Sequence, residues 1–123
     1  MAGTIVANTI NTDTGVFTTN NAYSGIAKAW VNFAGSTINN SFNVSSVTVN
    51  GTGDFTINFT TAMTNTTYAI VGTAVSNIAS INPAILTPKV GGTLTTSAFQ
   101  IQCPQYNGTL VAVTSVNAVI LGS

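Results

Sequence analysis

The sequence predicts an all-β protein: an antiparallel β-sandwich of about eight strands, jelly-roll-like, with an N-terminal extended arm. The first observation is composition, because 46 residues are the β-branched Thr, Val and Ile, whereas the helix formers Leu, Met, Lys and Gln total 11. Branched side chains are stiff at χ1 and fit a pleated sheet better than a helix. The second observation is a recurring alternation of apolar and polar residues, which is typical of half-buried strands. The third is the regular return of turn residues between these short segments.

The first 24 residues differ from the rest of the chain. Thr and Asn separate their apolar residues without a compact alternation, and these apolar residues are Ile5, Val6, Ile10, Val16 and Phe17. An extended segment gains little unless its apolar side is buried against something. We therefore expect residues 1–24 to be an N-terminal arm or first strand that packs between subunits, with a weak strand at Thr4–Ile10. Residues 25–123 are expected to form the β-sandwich domain.

The clearest strands are Gly25–Phe33, Asp54–Thr60 and Ser97–Cys103, in each of which apolar residues alternate with other residues. Asn50–Gly53 supplies residues that tolerate positive φ, so a β-hairpin is expected to join the segment around Val47 to Asp54–Thr60. The residues expected to form the structural core are Val31, Phe33, Phe55, Ile57, Phe59, Phe99 and Ile101.

Two further segments, Tyr68–Val75 and Val116–Leu121, are mostly apolar on both faces. This pattern is expected of strands that lie at the centre of a sheet or are buried at an interface. Weaker strands are expected at Ala84–Thr87 and Leu110–Thr114. The turn clusters between the strands are Gly35-Ser36, Thr64–Thr67, Asn82-Pro83, Pro88–Gly92 and Pro104–Gly108.

Only four residues carry a formal charge, namely Asp13, Lys28, Asp54 and Lys89, and the chain has no His, Arg or Glu. Without His there is no imidazole base for a Ser or Cys nucleophile and no imidazole metal ligand. Two Lys residues are too few to neutralise nucleic-acid phosphates. We therefore expect no catalytic, cofactor-binding or metal-ligating residues, no cofactor, no enzymatic activity and no nucleic-acid partner. Lys28 and Asp54 are candidates for an ion pair across strands.

Three short motifs are better explained by structure than by chemistry. Asn50–Asp54 contains a Gly-x-Gly, but a strand follows it instead of the helix that a phosphate site needs. Asn11–Gly15 offers one carboxylate, Asp13, and lacks the Glu that closes a calcium loop, so an Asx-turn is expected. Ser24 and Lys28 on one strand lie about 13 Å apart, which is too far for a catalytic dyad.

Cys103 is the single cysteine and cannot form an internal disulfide, and its neighbours Phe99 and Ile101 predict a buried strand position. No apolar run approaches the roughly 18 residues of a membrane helix, so no membrane insertion is expected. The first residues, Met1–Thr4, lack the basic start and continuous apolar stretch of a signal peptide, which predicts synthesis in a cytosol.

Tyr23 and Tyr106 stand in polar segments and are candidate receptor contacts, because aromatic rings stack on sugar faces. Phe17 is a further candidate of this kind, and the alternative is that these aromatics are ordinary turn or rim residues. Trp30 lies in the middle of a strand and is expected to pack in the core or between subunits.

The net charge of zero bears on association. Charge repulsion keeps folded chains apart in solution, and a net charge near zero promotes association. A subunit of a permanent assembly tolerates this composition better than a free monomer does.

The strings GIAKAWVNF at Gly25–Phe33, SFNVSSVTVNGTGDFTINFTTAM at Ser41–Met63 and YAIVG at Tyr68–Gly72 resemble a domain at the ends of bacteriophage tail fibres and of other virion-surface proteins. The closing VNAVILGS is similar too. The resemblance covers about Gly25 to Ser123 and is most specific in its middle strings. It implies a β-sandwich that is usually assembled as a homotrimer and displayed on the particle, with no known catalytic residues.

The resemblance and the charge argument lead to the same expected function. The chain is expected to be a bacteriophage virion-surface structural protein, a short tail-fibre or fibre-tip subunit in host attachment, made in the host cytoplasm. The expected partners are further copies of the chain in a homotrimer, other virion proteins, and a host surface glycan or protein. Because a short arm replaces the shaft of a long fibre, a capsid decoration protein of the cement or head-fibre kind is an alternative. A secreted glycan-binding adhesin module is the alternative from another class.

Overall fold

The computed structural model describes residues 3–4, 6, 9–12, 15–18, 23, 25–77 and 83–122. Within these ranges the chain forms ten strands. Their bounds are β1 Thr9–Thr12, β2 Gly15–Thr18, β3 Ala29–Ala34, β4 Thr37–Phe42, β5 Val44–Gly51, β6 Asp54–Phe59, β7 Ala69–Ser76, β8 Thr87–Pro88, β9 Ala98–Gln102 and β10 Val113–Leu121.

Eight of these strands build two antiparallel sheets, which confirms the predicted all-β sandwich. The first sheet has the order β4-β3-β10-β7, and the second has the order β5-β6-β9-β8. The connections β3–β4, β5–β6 and β8–β9 join neighbours within a sheet, whereas the other connections from β4 to β10 cross between the sheets. The hairpin expected at Asn50–Gly53 joins β5 to β6, and Gly53 has a φ of 63° there.

The core lies between the two sheets. The ring of Phe33 in the first sheet and the ring of Phe55 in the second sheet pack edge to face. Their centroids are 5.2 Å apart and the interplanar angle is 73°. Phe59 and Phe99 pack with Tyr68, whose hydroxyl donates a hydrogen bond to the carbonyl oxygen of Thr95 at 2.9 Å. The residues expected to form the core are all buried, and these are Val31, Phe33, Phe55, Ile57, Phe59, Phe99 and Ile101.

The N-terminal segment is more structured than a single extended strand. β1 and β2 pair as an antiparallel hairpin, and they form a two-stranded sheet separate from the sandwich sheets. The expected weak strand at Thr4–Ile10 is displaced, because β1 begins at Thr9. Asp13, the candidate of the Asx-turn, lies outside the described residues.

Three expectations about single strands need correction. β10 is central, as its apolar pattern predicts, but β7 is an edge strand of the first sheet, so a central position for Tyr68–Val75 is wrong. The weak strand expected at Ala84–Thr87 is reduced to β8, in which Pro88 lacks the N–H that a longer pairing needs. The segment Leu110–Thr114 enters β10 only at Val113.

Asn43 marks the point where the chain passes from the edge of the first sheet to the edge of the second. Its φ is 56°, a left-handed conformation that Asn adopts more readily than other residues with a β-carbon. Its side-chain amide donates to the carbonyl oxygens of Lys28 and Thr61, each at 3.1 Å, and its Oδ1 accepts from the Thr61 N–H at 2.7 Å. The residue therefore ties β3, the end of β6 and the β4–β5 junction together.

We expect Asn43→Ala to lower the free energy of unfolding by about 2 to 3 kcal/mol, because it loses three hydrogen bonds and strains a left-handed backbone. Asn43→Gly loses the same hydrogen bonds without the backbone strain, so it should retain about 1 kcal/mol more. Urea unfolding of the three proteins measures both differences. Equal losses for Ala and Gly would refute the role assigned to the backbone conformation.

Candidate functional site: the two outer faces of the sandwich

The outer face of the first sheet carries an apolar row that crosses all four strands. Cross-strand pairing places Phe42 opposite Trp30, Trp30 opposite Val119, and Val119 opposite Val71. Phe42 and Val71, at the two ends of the row, are 55% and 56% exposed. Trp30 is half-buried, and it points away from the core because its neighbours Ala29 and Val31 point inward. We call Phe42, Trp30, Val119 and Val71 the apolar row.

A ladder of amides and hydroxyls runs beside the apolar row on the same face. The side-chain amide of Asn32 donates to Oδ1 of Asn117 at 2.6 Å, and that of Asn39 donates to Oδ1 of Asn32 at 2.8 Å. Asn117 in turn donates to Oγ1 of Thr73 at 3.3 Å. We call Asn39, Asn32, Asn117 and Thr73 the amide ladder. These hydrogen bonds hold the four side chains in place, and no charged group takes part in them.

An open cleft of about 460 Å³ adjoins the Phe42 end of the apolar row. It is lined by Phe42, Asn43, Thr60 and Thr61, at the place where the chain changes sheets. The side chain of Asn43 is held by its hydrogen bonds to Lys28 and Thr61, so one wall of the cleft is fixed. The cleft extends the apolar surface around the corner of the sandwich.

The outer face of the second sheet is polar and centres on Asp54. Lys89 Nζ lies 2.8 Å from Oδ2 of Asp54, and Asn50 and Gln102 donate to the same carboxylate at 3.1 and 3.2 Å. The expected pairing of Asp54 with Lys28 is wrong. Lys28 stands at the opposite end of the sandwich, directly before β3, and its N–H donates to the carbonyl oxygen of Ile120 in β10 of the first sheet. Thr56 accepts from both Asn50 and Gln100 at 2.9 and 3.3 Å, which continues the polar face.

Burial by itself raises the pKa of Asp54, but the hydrogen bonds from Lys89, Asn50 and Gln102 and the charge of Lys89 outweigh it. The pKa of the carboxyl group therefore lies below its ordinary value of 3.8. A carboxyl group with a lowered pKa stabilises the fold above its ordinary pKa.

We expect the free energy of unfolding to fall as the pH drops below 3.8 and through the lowered pKa of Asp54, because the unfolded chain then binds more protons than the folded one. Chemical unfolding between neutral pH and about pH 2 measures this slope. Asp54→Asn should flatten it. An unchanged slope in Asp54→Asn would contradict the assignment.

A second, polar cleft of about 290 Å³ lies on the second sheet's side of the molecule. It is lined by Thr56, Gly91, Thr93, Thr95, Ala98 and Gln100. Its lining combines hydroxyl and amide groups with apolar surface, and none of these six residues is charged. The cleft could therefore hold a neutral ligand that has both hydroxyl groups and apolar faces.

The structure places the two candidate receptor contacts far apart. Tyr23 lies near Lys28, whose ammonium group stands 3.3 Å from the ring centroid and donates to the Tyr23 carbonyl oxygen. Tyr106 is 74% exposed in the turn between β9 and β10, near the β5–β6 hairpin. The two residues therefore stand at opposite ends of the sandwich and do not form one site. The side chain of Phe17, the further candidate, lies outside the described residues.

Cys103 is fully buried directly after β9, and burial raises its pKa to about 11. The group is therefore a protonated thiol at neutral pH. Among the residues that the structure describes, no three His, Cys, Asp or Glu side chains come together as a metal site. In the same part of the chain no helix has the length and apolar character needed to cross a membrane.

Fold and surfaces together define an antiparallel β-sandwich whose first sheet carries an apolar row beside an amide ladder on its outer face, and whose second sheet has a polar outer face. Comparison with protein-family models, with curated proteins and with solved structures found no match. The sequence does not predict the apolar row. It does contain two signals of it, because Trp30 alternates with the core residue Val31 and Tyr68–Val75 is mostly apolar on both faces. The row becomes visible only when the register of four strands is known.

Proposed function

We propose that this chain is a structural protein of a bacteriophage virion surface, a short tail-fibre or fibre-tip subunit that acts in host attachment as a homotrimer. The observation that carries the proposal is the almost complete neutrality of its surface. Lys89 and Asp54 neutralise each other as an ion pair at 2.8 Å. Lys28 is the remaining charged side chain that the structure describes, and its ammonium group lies over the ring of Tyr23.

The neutral surface is ordered by hydrogen bonds instead of charges. Amide and hydroxyl groups bond one another along both outer faces, from Asn32 and Asn117 on the first sheet to Asn58 and Ser46 on the second. Such contacts respond little to salt, because ionic screening acts on charges. A particle that persists outside a cell through changes of ionic strength benefits from subunits of this kind. The resemblance of Gly25–Phe33 and Ser41–Met63 to virion-surface domains supports the same function.

The direct test is the position of the chain on a particle. Cryo-electron microscopy of virions of the phage that encodes it should place trimeric density at the tail. Density at the symmetry axes of the capsid would instead establish the alternative, a decoration protein of the cement or head-fibre kind. Virions that lack the chain altogether would overturn both assignments.

The salt dependence of assembly provides a solution test. The dissociation of the oligomer, followed by sedimentation from low to high salt, should change little, because few charges take part. A steep loss of assembly with rising salt would contradict the role given to the neutral surface.

A secreted glycan-binding adhesin is the second candidate, and the polar cleft beside Thr56 and the exposed Tyr106 favour it. A glycan array probed with the intact protein tests this function. Binding that Tyr106→Ala abolishes and Tyr23→Ala retains would support a receptor site at the Tyr106 end of the sandwich. The Tyr23 variant is a suitable control, because it removes the same side chain at the opposite end.

A further inference from the structure

We propose that copies of this chain pack against one another through the outer face of the first sheet, with their apolar rows meeting at the symmetry axis. The inference rests on the proposed function, since it names the surface by which the proposed subunit assembles. Its occupant is a second copy of the same chain, as the polarity, the charge and the exposed area of the face indicate.

The polarity of the first sheet's outer face is unusual for a sandwich. Outward positions in such folds are ordinarily polar, as they are on the second sheet at Thr56 and Gln100. On β7, however, Val71 and Val75 point outward and are 56% and 51% exposed. A strand that is apolar on both faces is typical of burial on both sides. The core covers the inner side of this edge strand, whereas Val71 and Val75 on its outer side are uncovered by the residues that the structure describes.

The distribution of charge favours a second copy over a charged partner. The apolar row and the amide ladder contain no ionisable group. Asp54 and Lys89 lie on the other sheet, where they satisfy each other. A strongly charged partner would find nothing to pair with here, whereas a second copy brings neither repulsion nor an unpaired charge.

The amide ladder is suited to self-association. Both N–H groups of Asn32 already donate, to Ser115 and Asn117, so the amides of Asn39 and Asn117 are the ones that can offer a donor and an acceptor to a second ladder. A surface that meets its own copy at a symmetry axis needs this property, because each residue then faces itself or a near neighbour. Asn32 and Asn117, at the centre of the sheet, are already oriented by their mutual hydrogen bond of 2.6 Å.

The exposed area is also consistent with a missing subunit contact. The chain exposes 7346 Å². A folded monomer of 12.5 kDa typically exposes about 6,200 Å², so the excess is about 1,100 Å². A standard interface buries about 800 Å² from each partner, which the excess covers. Exposed N-terminal positions such as Val6 account for part of this excess, and Phe42 and Val71 of the apolar row are each more than half exposed.

Trp30 is the single tryptophan of the chain and lies in the middle of the apolar row, so the native protein carries its own reporter. Light scattering or sedimentation gives the oligomeric state over a dilution series, and fluorescence gives the environment of Trp30 in the same samples. We expect the emission of Trp30 to move to longer wavelength as the oligomer dissociates. An oligomer that dissociates with no change in this emission would overturn the assigned surface and leave the proposed assembly intact.

Val71→Lys introduces a charge at an exposed end of the apolar row, and Thr48→Lys introduces the same charge on the exposed outer face of the second sheet. We expect Val71→Lys to raise the dissociation constant of the oligomer at least tenfold, and Thr48→Lys to leave it within about twofold of the wild type. Circular dichroism verifies that both variants are folded. Equal effects of the two variants, or normal assembly of Val71→Lys, would overturn the surface alone. A wild-type chain that stays monomeric at millimolar concentration would overturn both the surface and the proposed oligomer.

Discussion

Gly72→Val is expected to abolish the folded state, and Gly72→Ala is expected to lower the free energy of unfolding by about 2 kcal/mol or more. Gly72 lies in β7, where a β-carbon would collide with the backbone carbonyl oxygen of Asn117 in the central strand β10. The same β-carbon would lie 2.8 Å from Cδ1 of Leu86. Leu86 has some freedom to move, but the backbone of Asn117 is held by pairing on both sides, so any side chain at position 72 pushes β7 off the sheet.

The matched control is Gly51→Ala, since Gly51 is also in a strand and a β-carbon there meets nothing within 4 Å. This variant should be neutral or more stable by up to about 1 kcal/mol, because Ala restricts the unfolded chain. Denaturant unfolding of the purified proteins, with the yield of soluble protein for Gly72→Val, gives the comparison. Equal stability of Gly72→Ala and Gly51→Ala would show that β7 does not approach β10 as closely as described.

Gly72 also shows where prediction from the sequence ends. The alternation of Phe55, Ile57 and Phe59 follows from the two-residue repeat of a strand, so these core positions are readable locally. The hairpin between β5 and β6 is equally local, because Gly53 supplies the positive φ of its turn. The close approach of Gly72 to Asn117 joins residues far apart in the chain, and no local pattern encodes it.

For the candidate site, too, the sequence predicts the local features but not those that depend on strand pairing. The sequence indicates that Trp30 faces away from Val31, and that Tyr68–Val75 is apolar on both faces. It does not indicate that Trp30 and Val71 lie in the same row across the sheet, because each of them is placed by its pairing with Val119 in β10. For the same reason the sequence alone pairs Asp54 with the wrong lysine. Sheet order, which the sequence leaves open, places Lys89 beside Asp54 and Lys28 at the far end of the other sheet.

Phe33→Ala is expected to lower the free energy of unfolding by about 3 to 5 kcal/mol. Phe33 is fully buried, and its ring packs edge-on against Phe55 of the opposite sheet with centroids 5.2 Å apart. Removing the ring leaves a cavity between two sheets whose backbones are fixed by pairing, so the space closes poorly. Since small domains are stable by about 5 to 15 kcal/mol, the variant loses a large part of its stability. Urea unfolding measures the loss, and a loss below about 1 kcal/mol would contradict the described core.

Phe33→Leu is the control, because it keeps an apolar side chain in the same place and should retain more than half of the stability that Phe33→Ala loses. The comparison with Val71→Lys separates folding from assembly. Phe33 stabilises each sandwich from within, so its loss should appear at every protein concentration. An oligomer adds stability that rises with protein concentration, and Val71→Lys should remove only this added part. If both variants lowered stability equally at high dilution, Val71 would be acting inside the subunit, and the apolar row would be part of the fold instead of a surface for a second copy.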